Sequence, residues 1–193
     1  MSMPRSAYGG GDVAFWLPDA APTSRVAYRG APQTIAVMRK GAIRAQSDFA
    51  TRQLAESICE GIDSKDYTSE YLALLYFLIQ HTRYMRDPRT VELVRDPSVL
   101  SKQMMAGHIP SIDCDDGAMW LGTAVLSVGG LATFETVAFA DQFYDGRRQY
   151  SHVLTTALEP RTRQKIILDF VAAEKTPEML RRVKAAESWP IAA

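Results

Sequence analysis

The sequence predicts an α+β fold in which N-terminal helices are followed by an antiparallel β-sheet. Three observations carry that reading. Apolar residues at spacings of three and four, bracketed by capping residues, run through 32–107. An acidic cluster, Asp113-Cys114-Asp115-Asp116, opens a further apolar segment over 117–128. Beyond Gly129-Gly130, runs rich in β-branched and aromatic residues alternate with turn residues. A chain of 193 residues can close such a core without disulfides or a structural metal.

Residues 1–30 are rich in Gly, Pro, Ala and Ser and predict an irregular arm, followed by an α+β domain over 31–172 and a C-terminal helix and tail over 173–193. Pro32 suits a first helical position, with Ile35, Met38 and Ala42 on one face. Ser47 is the expected N-cap of a second helix burying Ala50, Leu54, Ala55, Ile58 and Cys59 and ending at Gly61. A third helix from about Thr68, apolar all round through 71–79, is the expected central buried helix. Asp96-Pro97 caps and starts a short helix that stops at Gly107. After the helix over 117–128, strands are expected at 132–140, 150–159 and 165–170, and a last helix at 177–186.

Lys and Arg number 22 against 22 Asp and Glu, so no basic excess draws the chain to nucleic acid or to an anionic membrane surface. Trp16, Trp120 and Trp189 do not alternate with basic residues as a base-stacking surface would. The two cysteines, Cys59 and Cys114, do not form a secreted disulfide framework, and the first 16 residues lack the apolar stretch of a signal peptide. The uncharged run 117–134 is broken by Gly and carries Thr123 and Ser127, which makes it a core helix and a strand rather than a membrane span. A reducing, cytoplasmic setting is the expectation.

Cys114 stands where a helix begins, and the backbone N–H groups and dipole there favour a thiolate. Its neighbours Asp113, Asp115 and Asp116 oppose a further negative charge, so a cation is needed beside it. Of the three histidines, His152 is the partner by elimination, because it lies within a strand. Asp169 shares a face of the next strand with Ile167 and Lys165. If His152 and Asp169 are directly opposed, the hairpin centres on Pro160-Arg161, where Pro suits the first central position of a turn. Nucleophile, base and orienting acid are then all present.

The string Asp113-Cys114-Asp115-Asp116 opening an apolar helix, Tyr150-Ser151-His152-Val153 in a strand and Leu168-Asp169 in the next resembles the transglutaminase-like cysteine-peptidase superfamily, especially its bacterial and phage-associated branch. The resemblance covers about residues 66–171. It implies a papain/transglutaminase-like core with Cys114 as nucleophile, His152 as general base and then acid, and Asp169 holding the ring. Two positions depart from that pattern: Ile112 stands where the family usually has Gly before the Asp-Cys pair, and Phe170 where it usually has Pro. The Cys114 N–H is the natural first oxyanion donor, and Gln103 is the candidate second.

Other chemistry is weaker. An EF-hand reading of the acidic cluster fails, because Gly117 and Ala124 occupy positions that need oxygen ligands. His81, His108, Cys114 and His152 have no paired zinc-ligand spacing. No cofactor and no metal is expected. The function expected is thiol-dependent acyl transfer, chiefly cysteine peptidase or amidase-type hydrolysis of a peptide or protein amide. The alternative is a non-catalytic structural or assembly protein, of a phage particle and so virion-associated, with phage structural proteins as partners. In that case the first 30 residues and the tail 188–193 would serve as contact arms or make a homo-oligomer.

Overall fold

A computed structural model of the chain describes residues 24–26, 31–87, 92–139, 143–144, 147–171, 178 and 181–191. Five helices lie among these residues: α1 (Ala31–Ala45), α2 (Phe49–Cys59), α3 (Tyr67–His81), α4 (Pro97–Met105) and α5 (Cys114–Ser127). The longer strands are β5 (Leu131–Ala138), β8 (His152–Leu158), β9 (Lys165–Leu168) and β10 (Ala185–Pro190), joined antiparallel in the order β10-β5-β8-β9. Three two-stranded pairs complete the set: β1 (Ser24–Val26) with β3 (Glu92–Val94), β2 (Arg83–Tyr84) with β4 (Ser111–Ile112), and β6 (Phe143–Tyr144) with β7 (Arg147–Arg148). Helices precede an antiparallel sheet, and the α+β class stands.

Side-chain oxygens open the helices. Asp48 accepts from the amides of Ala50 and Thr51 and so displaces Ser47 as the cap of α2, while Asp66 caps α3 and Asp96 caps α4 with Pro97 in its first turn. The central helix is α5 and not α3. Every residue from Asp115 to Val125 is buried, whereas α3 buries Tyr71, Leu74, Leu75 and Leu78 on one side and leaves Tyr76 59% exposed. Tyr lets an apolar-looking helix keep a wet face.

Enclosure of α5 requires small residues wherever another element crosses it. A β-carbon on Gly117 would lie 2.1 Å from the Phe170 ring, and one on Gly122 2.5 Å from Ile191. Thr155 on β8 donates to the Ala118 carbonyl at 2.6 Å, which seats the helix on the sheet. Trp120, fully buried, donates from Nε1 to Ser101 Oγ on α4 at 3.0 Å.

Two expectations at the chain ends change. Within the arm, Ser24–Val26 pairs with Glu92–Val94, and residues 1–23 and 27–30 lie outside the described residues. Of the helix expected over 177–186, Glu178 and Arg181 are helical, residues 177, 179 and 180 lie outside the described residues, and from Ala185 the chain runs as β10, an edge strand whose Ser188 and Trp189 pair with Glu135 and Phe134. Trp189 Nε1 donates to Thr136, and Ile191 is fully buried, so the tail through Ile191 belongs to the core sheet and is not a protruding arm. On the sheet's other face Glu135 gathers the strands, accepting from Thr156 of β8, Lys165 of β9 and Ser188 of β10.

Trp120→Ala is expected to cost about 3–5 kcal/mol, because it opens a cavity inside the enclosed helix and leaves Ser101 short of a donor. Urea denaturation at constant pH measures it, and a loss under about 1 kcal/mol would contradict the enclosed position of α5.

Candidate active site

Asp113 caps α5, accepting from the Asp116 amide, and Cys114 is the first helical residue. The Cys114 N–H therefore belongs to the first turn, a position from which an amide can donate to a developing oxyanion. The thiol is half-buried against the core, and neither cysteine is in a disulfide.

His152 opens β8, and its Nε2 lies 2.8 Å from Asp169 Oδ2, both side chains being nearly enclosed. Asp169 is held in turn by the Val171 amide at 3.0 Å on its other oxygen. The carboxylate fixes the neutral ring's proton on Nε2 and leaves Nδ1 as the acceptor nitrogen. The Phe139 ring stacks on the imidazole with centroids 6.2 Å apart.

The contact expected from the sequence is therefore present, but its register is not the one expected. Thr155 pairs with Leu168 and Leu158 with Lys165, two residues away from direct opposition of His152 and Asp169. The turn is a four-residue loop closed by Glu159 and Gln164, with Arg163 left-handed at φ 62° and the Glu159 carboxylate holding the Thr162 amide. It replaces the two-residue turn on Pro160-Arg161. Asp169 sits just past β9 and reaches His152 diagonally. A slip of two preserves the face of every side chain, which is why the pair survives the error.

The end of β9 that carries Asp169 also meets the start of α5. Phe170, the next residue, presses its ring on Gly117, one turn from Cys114. The pleat sorts the remaining geometry. Val153, Thr155 and Ala157 form the α5 side of β8, and His152 alternates with Leu154 and Thr156 on the other side. The structure thus joins two of the three predicted residues directly and sets the third on a helix whose first turn packs against their strand end.

Gln103 lies on α4, with its side-chain Oε1 buried and without a hydrogen-bond partner among the described residues. His81 is held by the Phe77 carbonyl at 2.8 Å and stacks on the Phe77 ring, and His108 is exposed. Among the described residues, the only set of potential metal ligands is Asp113, Asp115 and Asp116, with oxygens within 4.8 Å of one another. Such an oxygen set suits a hard divalent cation.

The role of Asp116 was not legible from its place in a first turn. It is almost fully buried, accepts from the Arg95 amide at 2.7 Å and lies 3.5 Å from Arg95 Nε. Burial, reinforced by the Asp113 charge and opposed by Arg95, pushes its carboxyl from 3.8 up to about 8. At neutral pH it is mostly protonated, which removes one of the negative charges that oppose a Cys114 thiolate. Asp87, half-buried with its carboxylate on the Leu93 amide, is also shifted upward, first by desolvation. Burial and then Glu70 push the Cys59 thiol up to about 11.

Comparison of the chain with family models, with curated proteins and with solved structures finds no match in any of the three. No helix among the described residues is long and apolar enough to cross a membrane.

The folded form holds the Asp116 proton between pH 3.8 and about 8, where the unfolded chain has released it. Stability is therefore expected to fall as pH rises through that window. Asp116→Asn keeps an acceptor for Arg95 and removes this contribution, so its urea midpoint should change less between pH 5 and pH 8.5 than that of the native chain. Identical pH slopes in the two proteins would refute the assignment.

Proposed function

We propose that the protein is a thiol-dependent acyl-transfer enzyme with a papain/transglutaminase-like core, hydrolysing a peptide or protein amide. The observation that carries this reading is the buried 2.8 Å contact of His152 with Asp169 at the strand end on which the Cys114 helix packs. In the proposed reaction Cys114 Sγ, its proton passed to His152 Nδ1, attacks the amide carbonyl, and the Cys114 N–H stabilises the oxyanion. The imidazolium gives its proton to the leaving amine. Water, deprotonated by the same nitrogen, then releases the acid and restores the thiol. Asp169 keeps the ring in the required tautomer throughout. Hydrolysis is preferred to amine transfer because cross-linking requires water to be excluded from the acyl-enzyme.

This mechanism requires the imidazole to reach the thiol around the open start of β8. The pleat favours a second reading, in which His152 and Asp169 stay on the far face as a lock for the strand ends and the fold serves as a binding platform for assembly. Docking of Ser188 and Trp189 in β10 leaves that reading without its C-terminal contact arm.

A peptidyl chloromethyl ketone separates the two. Sulfur displaces chloride to form a thioether, and labelling is expected to vanish in Cys114→Ala and persist in Cys59→Ala. His152→Ala and Asp169→Asn should slow it by about 10²- to 10⁴-fold. Labelling of Cys114 at the rate of a free thiol, unaffected by His152→Ala, would sink the catalytic reading and leave the platform.

A further inference from the structure

The first turn of α5 is bordered by an aromatic and apolar wall that the proposed chemistry does not use. β2 runs parallel to β4, with Arg83 opposite Ser111 and Tyr84 opposite Ile112, and β4 leads within two residues into Cys114. The Tyr84 ring leans on the Phe170 ring, centroids 6.2 Å apart and planes at 59°. Phe170 joins Asp169 on one side to Gly117 on the other. Tyr84, Met85 and Val171 are 46%, 53% and 37% exposed, and Met85 and Val171 directly follow the two rings in the chain.

The backbone beside this wall is also open. Arg83 donates its amide to the Pro110 carbonyl and Met85 to the Ile112 carbonyl, so the alternation of a parallel ladder turns the N–H and C=O of Tyr84 toward the other edge of β2. Among the described residues β2 pairs only with β4. An extended peptide laid along that edge can gain main-chain hydrogen bonds, while alternate side chains meet the surface beside it.

We infer that Tyr84 and Phe170, with Met85 and Val171 at the margin, form a specificity subsite for an extended peptide carrying a bulky apolar side chain next to the scissile amide. The occupant follows from the wall. A small or charged neighbour would leave the aromatic faces in water, whereas Leu, Phe or Met covers them. Phe170 is central to this role: Gly117 leaves room for its ring beside the nucleophile's helix. This inference rests on the proposed role of Cys114 and names the substrate class for it.

The test compares rates of Cys114 alkylation, read by intact mass and peptide mapping, with three probes: acetyl-Phe chloromethyl ketone, acetyl-Gly chloromethyl ketone and iodoacetamide. The native chain should react with the Phe probe at least about tenfold faster than with the Gly probe, the scale of discrimination an apolar pocket provides. Tyr84→Ala should bring that ratio to within about twofold, leave the iodoacetamide rate unchanged, and show a native circular dichroism spectrum. Tyr84→Phe should retain the native ratio, since the ring and not the hydroxyl makes the wall. A native ratio near one, with Cys114 still alkylated faster than Cys59 by iodoacetamide, overturns the subsite and spares the proposed nucleophile. A Tyr84→Ala ratio equal to the native one does the same. Failure of iodoacetamide to prefer Cys114 overturns both.

Discussion

A helix enclosed on all sides is the constraint from which the rest of this structure follows. α5 satisfies its own backbone, but every side chain it carries must fit a neighbour, and the sheet can approach only where no side chain intervenes. Gly117 and Gly122 supply those gaps, receiving Phe170 from beyond β9 and Ile191 from beyond β10. The Thr155 hydroxyl on the Ala118 carbonyl fixes where the helix lies on β8. Once these contacts are made, the position of the helix start is no longer adjustable, and Cys114 is held at the end of the sheet that bears His152 and Asp169.

The start of this helix concentrates negative charge in a buried place, and the protein relieves it by three separate means. Asp113 spends its charge on the amides of the first turn. Arg95 approaches Asp116 through both backbone and guanidinium, and tethers the segment after β3 to the helix as it does so. Asp116 itself retains a proton into the neutral range because ionising it there means removing a charge from water beside Asp113. The groups that make the helix start stable also define the field around the thiol. Cys59, half-buried and away from a helix N-terminus, is pushed up by the cost of burial and the nearby Glu70.

The sheet divides its two faces between packing and polar bonding. The α5 face is apolar apart from threonines, while the other face carries the Glu135 network and, at the strand ends, the histidine–aspartate pair. The Glu135 network ties the middle of the sheet across its strands, and the His152–Asp169 pair lies where strands would otherwise fray. Closure of the strand ends and orientation of the imidazole depend on the same Asp169 carboxylate.

What the sequence by itself determined is whatever depends on neighbours in the chain. Capping residues placed α4 and α5, apolar periodicity placed α1, α2 and α3, and β-branched runs placed β5, β8 and β9, because such signals act over a turn or a pleat. The pairing of His152 with Asp169 was legible because face parity is local to each strand. Tertiary structure decided what depends on residues far apart. It made α5 and not α3 the central helix, since enclosure is a property of what packs around a segment. It set the hairpin register through a four-residue loop, since closing the Glu159–Gln164 pair with a left-handed Arg163 outweighed the turn preference of Pro160. It drew the expected tail into β10, where Trp189 and Ile191 found apolar surface that a protruding arm would have left uncovered. The buried role of Asp116 arose in the same way, because desolvation is imposed by the whole surrounding chain and leaves no mark on the residues next to it.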